Sequence, residues 1–314
     1  MGRRRLIQST EVVIIGGGPA GVSAAIWCKR LGIDHILLES QSTIGGQLPS
    51  IQNQMIDYPG IITKNGKELQ ELFYQHLKRQ QCSFWLDTAV LSIDLVNSRL
   101  MVKGKNGESE NLRFRYIIFA AGSSPRRLNV PGELEMIERG EIYTASSNAP
   151  QFENKPVAVI GGGDRALEGA LILADNGAYV RLIHRTNRFR ARKEYVEKVR
   201  KHPNIQIYSH FIVDHIDGDK QVSSVTISNS DGEKLHIPVE GVFVRIGVKP
   251  NSGLLQGIVD MDKDQYIIHN HIYQTSQPNI FAIGDVCTRP PYSSISSAVG
   301  QGMVASKTIS LFLS

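Results

Sequence analysis

Two glycine-rich stretches of the 314-residue chain could do chemistry by their spacing alone. They are Gly16-Gly-Gly-Pro-Ala-Gly21 and, 145 residues later, Gly161-Gly-Gly-Asp-Arg-Ala166. Both follow G-x-G-x-x-G/A. Gly16 and Gly161 would make a tight turn, Gly18 and Gly163 would let a pyrophosphate approach the backbone, and Gly21 and Ala166 would let a helix pack closely. The helix N-terminus after each turn favours negative charge, which brings Pro19 and Ala20, or Asp164 and Arg165, to the phosphates. Glu39 stands 23 residues after Gly16 and can accept hydrogen bonds from ribose hydroxyls. The same count from Gly161 reaches His184, followed by Arg185. Cations in place of a carboxylate suit a 2′-phosphate, so Arg185 and Arg190 lead as its ligands and the second dinucleotide is expected to be NADP.

The elements that must position these residues are legible around them. Val12-Val-Ile-Ile15 and Val157-Ala-Val-Ile160 are short apolar runs rich in β-branched residues, as in strands buried on both faces. Each leads into its turn, then into a helical segment, Val22–Gly32 or Leu167–Ala174, and then into a second strand, His35–Glu39 or Tyr179–Ile183. Strand, turn and helix repeated in this order predict an α/β protein with two Rossmann-like, three-layer ββα or doubly wound dinucleotide-binding domains.

Composition narrows the function classes. With 41% hydrophobic residues, 21% charged and no apolar run near the roughly 20 residues of a membrane helix, the chain reads as a globular protein without a spanning segment. The cysteines, at 28, 82 and 287, are odd in number and too far apart in sequence for zinc or C-x-x-C chemistry. Together with a basic start that no apolar stretch follows, this predicts a cytoplasmic protein without structural metal. The net charge is +5, and residues 181–201 carry nine basic residues against two acids. Their place just after the second strand reads as a phosphate site rather than a nucleic-acid face, and no nucleic-acid motif accompanies them.

Further motifs resemble the low-molecular-weight thioredoxin reductase family, FAD- and NADPH-dependent class II pyridine nucleotide-disulfide oxidoreductases. They run in order over nearly the whole chain: Gly45-Gly46-Gln47-Leu48, Asp57-Tyr-Pro-Gly60, Phe119-Ala-Ala121-Gly122-Ser-Ser-Pro-Arg126, Val130–Glu133, His184-Arg185 with Phe189-Arg-Ala191, Gly241–Pro250 containing Ile246-Gly247, Ile280–Asp285 and Ala298–Gly302. The resemblance implies that Gly46, Gln47, Leu48, Asp57, Ala121, Gly122, Gly284, Asp285 and Gln301 line a flavin. Ile246 and Gly247 belong with the nicotinamide nucleotide. It further implies an FAD domain over 1–119 and 246–314, an NAD(P) domain over 120–245, and a homodimer.

Two departures bear on function. Where the family carries its redox C-x-x-C, this chain has Thr144 and Ser147, and hydroxyls form neither thiolate nor disulfide. The flavin is therefore expected to take hydride from NAD(P)H and pass electrons directly to an external acceptor: ferredoxin or flavodoxin, a quinone or a small disulfide. No side chain is assigned as catalytic. Arg165 at a helix start, and Thr186 in place of a paired arginine, leave an alternative open. In that alternative the protein is a flavin-linked disulfide oxidoreductase independent of NAD(P)H, with another dinucleotide, such as a second FAD, or nothing in the second site.

Overall fold

The computed structural model describes residues 9–52 and 54–314; the basic run Arg3–Arg5 lies outside the described residues. The chain divides into two units, residues 1–124 with 249–314 and residues 125–248. The crossings fall five residues after the expected first boundary and three after the expected second.

In the first unit a parallel five-stranded sheet runs in the order Ile280–Ala282, Tyr116–Phe119, Val12–Ile15, His35–Leu38, Phe84–Trp85. The period of two in a strand divides its side chains between two layers. Val12, Ile14, Ile118 and Phe281 face the helices, among Ala24, Phe73, Leu77 and Ile309. Val13, Ile15, Ile117 and Phe119 face the opposite layer, against Leu100, Val102 and Leu112. Those last residues belong to an antiparallel meander, Ala89–Asp94, Arg99–Lys103 and Ser109–Arg113, whose middle strand alternates exposed and buried residues. Fully burying an Ile or Phe of this kind stabilises the unit by roughly 1.5–3 kcal/mol relative to leaving it exposed.

The first helix, Pro19–Arg30, and the last, Ile295–Leu313, meet through small residues. A Cβ on Gly302 would lie 2.5 Å from the Ala20 carbonyl oxygen. At this crossing the Ser306 hydroxyl donates to the Ala24 carbonyl at 3.1 Å and the Ser23 hydroxyl to that of Val299 at 2.7 Å. The last helix starts in a capping box formed by Ser294 and Ser297, which fixes Gln301 one turn further on.

The second unit repeats the plan with four parallel strands, in the order Ile205–Ser209, Tyr179–His184, Pro156–Ile160, Gly241–Val244. Val157, Val159 and Leu182 pack against the helix Asp164–Asp175 through Ala166, Ala170 and Leu173. Ala158, Ile160 and Ile183 pack against a second meander, Phe211–Asp217, Ser224–Asn229 and Lys234–Pro238. Both units therefore carry sheet, helices on one face and a meander on the other. No described helix is long and apolar enough to cross a membrane.

Candidate functional site

In the first unit the turn after Val12–Ile15 needs its glycines. Gly16 has φ +108°, and a Cβ there would lie 2.4 Å from the Ala120 carbonyl oxygen. A Cβ on Gly21 would lie 1.9 Å from the Gly16 carbonyl oxygen. Gly18 faces open space, where an added Cβ would meet only Gly46 Cα, at 4.0 Å. Pro19 occupies the start of the helix, Gly18 precedes it with no side-chain cap, and no acid lies in the first turn. The N-terminal amides that a helix leaves without internal partners are thus not capped by its own side chains.

Glu39 comes to this turn as its spacing predicts. It is buried, and its carboxylate accepts hydrogen bonds from the Gly17 amide at 2.6 Å, the Gln41 amide at 2.8 Å and the Ser40 hydroxyl at 3.1 Å. The loop at Gly45 and Gly46, both with positive φ, returns to the same place, the Gly45 amide donating to the Gly17 carbonyl at 2.7 Å. Gln47 donates to Asp285 at 3.1 Å and to the Ser123 carbonyl at 3.2 Å, while Leu48 is buried beneath. Asp285 also accepts from the hydroxyls of Ser123 at 3.3 Å and Ser293 at 2.5 Å. Gly284 lies under the first helix, where an added Cβ would be 3.1 Å from Ala20 Cβ. Gly16–Gly21, Glu39, Gly46–Leu48 and Gly284–Asp285 are therefore brought together in this unit.

Two candidates behave differently. Gln301 is turned inward: its oxygen accepts from the Gly284 amide at 2.5 Å and its nitrogen donates to Thr288 at 2.9 Å. It shapes the Gly284 turn from behind. Asp57 is exposed and makes no hydrogen bond or ion pair among the described residues. Ala121 and Gly122 are held by a residue the spacing gave no hint of. The Asn251 side chain donates to the Ala121 carbonyl at 2.8 Å, and its amide donates to the Gly122 carbonyl at 2.9 Å.

The second unit builds a parallel arrangement with different chemistry. Gly161 has φ +147°, and a Cβ on it would lie 2.2 Å from the Arg245 carbonyl oxygen, whereas Gly163 faces open space. Ala166 is buried against the sheet. His184 takes the place of Glu39. Its ring lies over Gly162, stacks on Phe189 with centroids 5.2 Å apart, and has Nε2 3.1 Å from Thr186 Oγ1 and 3.3 Å from the Arg188 carbonyl. Burial, joined by the charges of Arg185 and Arg190, holds this imidazole below its usual pKa against the opposing carbonyl contact. That shift favours the neutral imidazole, so arginine rather than histidine is placed to carry the positive charge here.

The basic run divides. Arg185, Arg188 and Arg190 are exposed in the loop beside the turn, without an acidic partner among the described residues, and the Arg190 amide donates to the Gly162 carbonyl at 2.8 Å. Arg192 is engaged: its amide donates to Asp164 at 2.7 Å and its guanidinium pairs with Asp164 at 3.5 Å. Residues 193–201 form a helix whose Lys193 pairs with Glu197 at 3.9 Å. That part of the run is a solvated face rather than a phosphate site. Gly247, at φ +92°, accepts from the Arg126 amide at 2.9 Å, and Ile246 precedes it, half-buried.

Thr144 and Ser147 stand at the start and within a four-residue helix, Ala145–Asn148. The Thr144 hydroxyl donates to the Ser147 hydroxyl at 2.9 Å, and the Asn148 side chain accepts from the Thr144 amide at 2.9 Å. The thiols lie in the other unit. Cys28 and Cys82 are buried and Cys287 is half-buried. Burial pushes Cys28 and Cys287 up to about 12 and Cys82 up to about 11. The Cys287 thiol donates to the Ala282 and Gly284 carbonyls at 3.2 and 3.3 Å.

Comparison with known proteins places this geometry. The pyridine nucleotide-disulphide oxidoreductase family model matches residues 10–302. The thioredoxin reductase of Mycolicibacterium smegmatis is 33% identical over 298 residues, 94% of this chain and 94% of that one. The bifunctional thioredoxin reductase/thioredoxin of Mycobacterium leprae is likewise 33% identical over 298 residues, but these are 64% of its length. Among solved structures, Lactococcus lactis thioredoxin reductase superposes with a TM-score of 0.77 at 30% identity, covering 97% of this chain and 99% of that one.

Proposed function

From the premise that the chain belongs to the pyridine nucleotide-disulphide oxidoreductase family and is thioredoxin reductase-like, we propose that it is an NAD(P)H-dependent flavoprotein that delivers electrons directly to an external acceptor. The observation that carries this reading is the Thr144–Ser147 hydroxyl pair. It stands where the resemblance expects a redox dithiol, while the three thiols lie elsewhere with pKa values of about 11 to 12. A thiol so far above neutral pH is not a nucleophile.

The residues of the first unit fit FAD: an open approach at Gly18, a helix start without a capping side chain, and a buried carboxylate beside them. Gly18, Ala20 and Gly21 would hold the pyrophosphate and Glu39 the adenosine ribose. Gly46, Gln47, Ala121, Gly122 and Asp285 would line the remainder. Bound FAD supplies a two-electron carrier between a nicotinamide and an acceptor. The protein's own contribution is position: Gln47 and Asp285 hold each other at 3.1 Å, and Asn251 fixes Ala121 and Gly122. In the second unit, Gly161, Gly163, Asp164, Ala166 and His184 shape the turn, while Arg185 and Arg190 would meet a 2′-phosphate, hence NADPH. The units correspond to the FAD and NAD(P) domains, and the working form is a cytoplasmic homodimer.

Anaerobic titration with NADPH and NADH tests the reading. Rapid bleaching of the flavin by NADPH is the expected result, and its absence with both donors rejects the donor assignment. A second reading draws on Arg165: the second site holds another dinucleotide, such as a further FAD. Extracted flavin separates the two, with one per chain expected for the first reading and two for the second.

A further inference from the structure

Arg165 and Arg245 both lie next to the second glycine turn. The Arg245 amide donates to the Ile160 carbonyl at 2.8 Å, and its own carbonyl lies against Gly161. Arg165 is the second residue of the helix that begins directly after the turn. The Arg245 guanidinium is fixed by two neutral acceptors, donating to the Val244 carbonyl at 2.8 Å and the Tyr143 carbonyl at 2.7 Å. Its burial and the nearby charge of Arg165 both lower its pKa. No carboxylate pairs with either arginine among the described residues. Asp164, the acid next in line, is taken by Arg192. Two guanidinium groups thus lie near the start of a helix whose one first-turn acid, Asp164, is already paired with Arg192. That arrangement is costly in the free protein, and a polyanion relieves it.

We propose that Arg165 and Arg245 form a two-guanidinium grip on the pyrophosphate of the dinucleotide at the second turn. The proposal rests on the reading above that this turn holds a dinucleotide, and it separates two tasks. Arg165 and Arg245 contact a group common to NADH, NADPH and FAD, so they set affinity. Arg185 and Arg190 face a group that only NADPH carries, so they set selectivity. Arg245 is preorganised by its two carbonyl contacts, and its remaining donors form the planar fork that suits phosphate oxygens.

The test measures dissociation constants of NADH, NADPH and inorganic pyrophosphate for the wild type and for Arg165→Gln, Arg245→Lys and the double variant Arg185→Ala/Arg190→Ala. Arg165→Gln and Arg245→Lys are each expected to weaken both dinucleotides equally, by about 10- to 100-fold, leaving the NADPH-to-NADH ratio unchanged. Both should also weaken pyrophosphate, and Arg165→Gln, which removes a charge, should flatten the salt dependence of binding. The double variant should weaken NADPH alone. Arg165 is exposed, so its replacement leaves folding intact. Arg245→Lys retains the charge, and a purely structural role for it would lower the melting temperature while leaving pyrophosphate affinity unchanged. Unchanged dinucleotide affinity in Arg165→Gln and Arg245→Lys overturns the proposal, as does failure of the wild type to bind pyrophosphate. A wild type that binds pyrophosphate through these arginines, but whose flavin neither nicotinamide reduces, supports the grip and rejects the donor assignment.

Discussion

Gly162 lies so close beneath His184 that a Cβ on it would sit 2.3 Å from the ring carbon Cε1. Gly17 bears the same relation to Glu39, where the added atom would sit 2.9 Å from Oε2. An equal count of residues along the chain has become an equal placement in space. The middle glycine of each turn clears the side chain that ends the neighbouring strand.

Gly162 and Gly163 should therefore respond oppositely to alanine. Gly162→Ala forces the His184 ring aside and is expected to destabilise the protein by about 1–3 kcal/mol, as overpacking does. Gly163 has φ −99° and open space around it, so Gly163→Ala should leave the melting temperature unchanged or slightly raised. It should nevertheless weaken dinucleotide binding, because the new methyl occupies the approach to the backbone. Thermal melts beside NADPH titrations separate the two effects.

Glu39→Gln replaces one carboxylate oxygen with a donor, facing the amides of Gly17 and Gln41. A buried polar mismatch of this kind costs about 1–3 kcal/mol. The flavin content of the purified variant should fall below that of the wild type, and added FAD should restore part of the lost melting temperature.

The hydroxyls of Thr144 and Ser147 already touch at 2.9 Å, close to the approach that two thiols need before bonding. Thr144→Cys/Ser147→Cys is expected to form a disulfide under mild oxidation, read as two fewer titratable thiols than in the reduced variant. Reduction of a protein disulfide by NADPH should appear with it. A disulfide that forms while this activity stays at the wild-type level would show that the segment does not serve as a relay.

The buried thiols give the stability a signed pH dependence. Cys82 rises from 9.0 to about 11 on folding, so the unfolded chain loses this proton first. Its contribution is complete below pH 9 and is lost as pH rises toward 11. Cys28 and Cys287 act in the same direction, to about 12. The melting temperature should fall between pH 8 and 10.5, and Cys82→Ser should reduce that fall. At pH 8, iodoacetamide should leave all three thiols of the folded protein unmodified.

What could be read in the sequence was local. The β-branched runs at Val12–Ile15 and Val157–Ile160 signal buried strands, and Glu39 lies one short excursion from Gly17. Contacts between distant segments left no local trace. Asn251 reaches Ala121 across 130 positions, and Arg245 reaches Tyr143 across 102. Gln301 carries a family motif yet turns inward, because Gly302 seats the last helix against Ala20 and points its neighbour at Gly284. The basic run looks continuous in sequence, and only the start of a helix at Lys193 divides it.

The interruption of the first unit is narrow. Its sheet draws every strand from residues 12–119 and 280–282, and the two edges of the break are joined by the bond from the Asn251 amide to the Gly122 carbonyl. The excursion is closed at its own base in the same way, from Arg126 to Gly247. The chain thus enters and leaves each unit at adjoining points, closed by a hydrogen bond within that unit. Excising residues 126–247 and bridging the gap with a few glycines should yield a miniature protein with its parallel sheet intact.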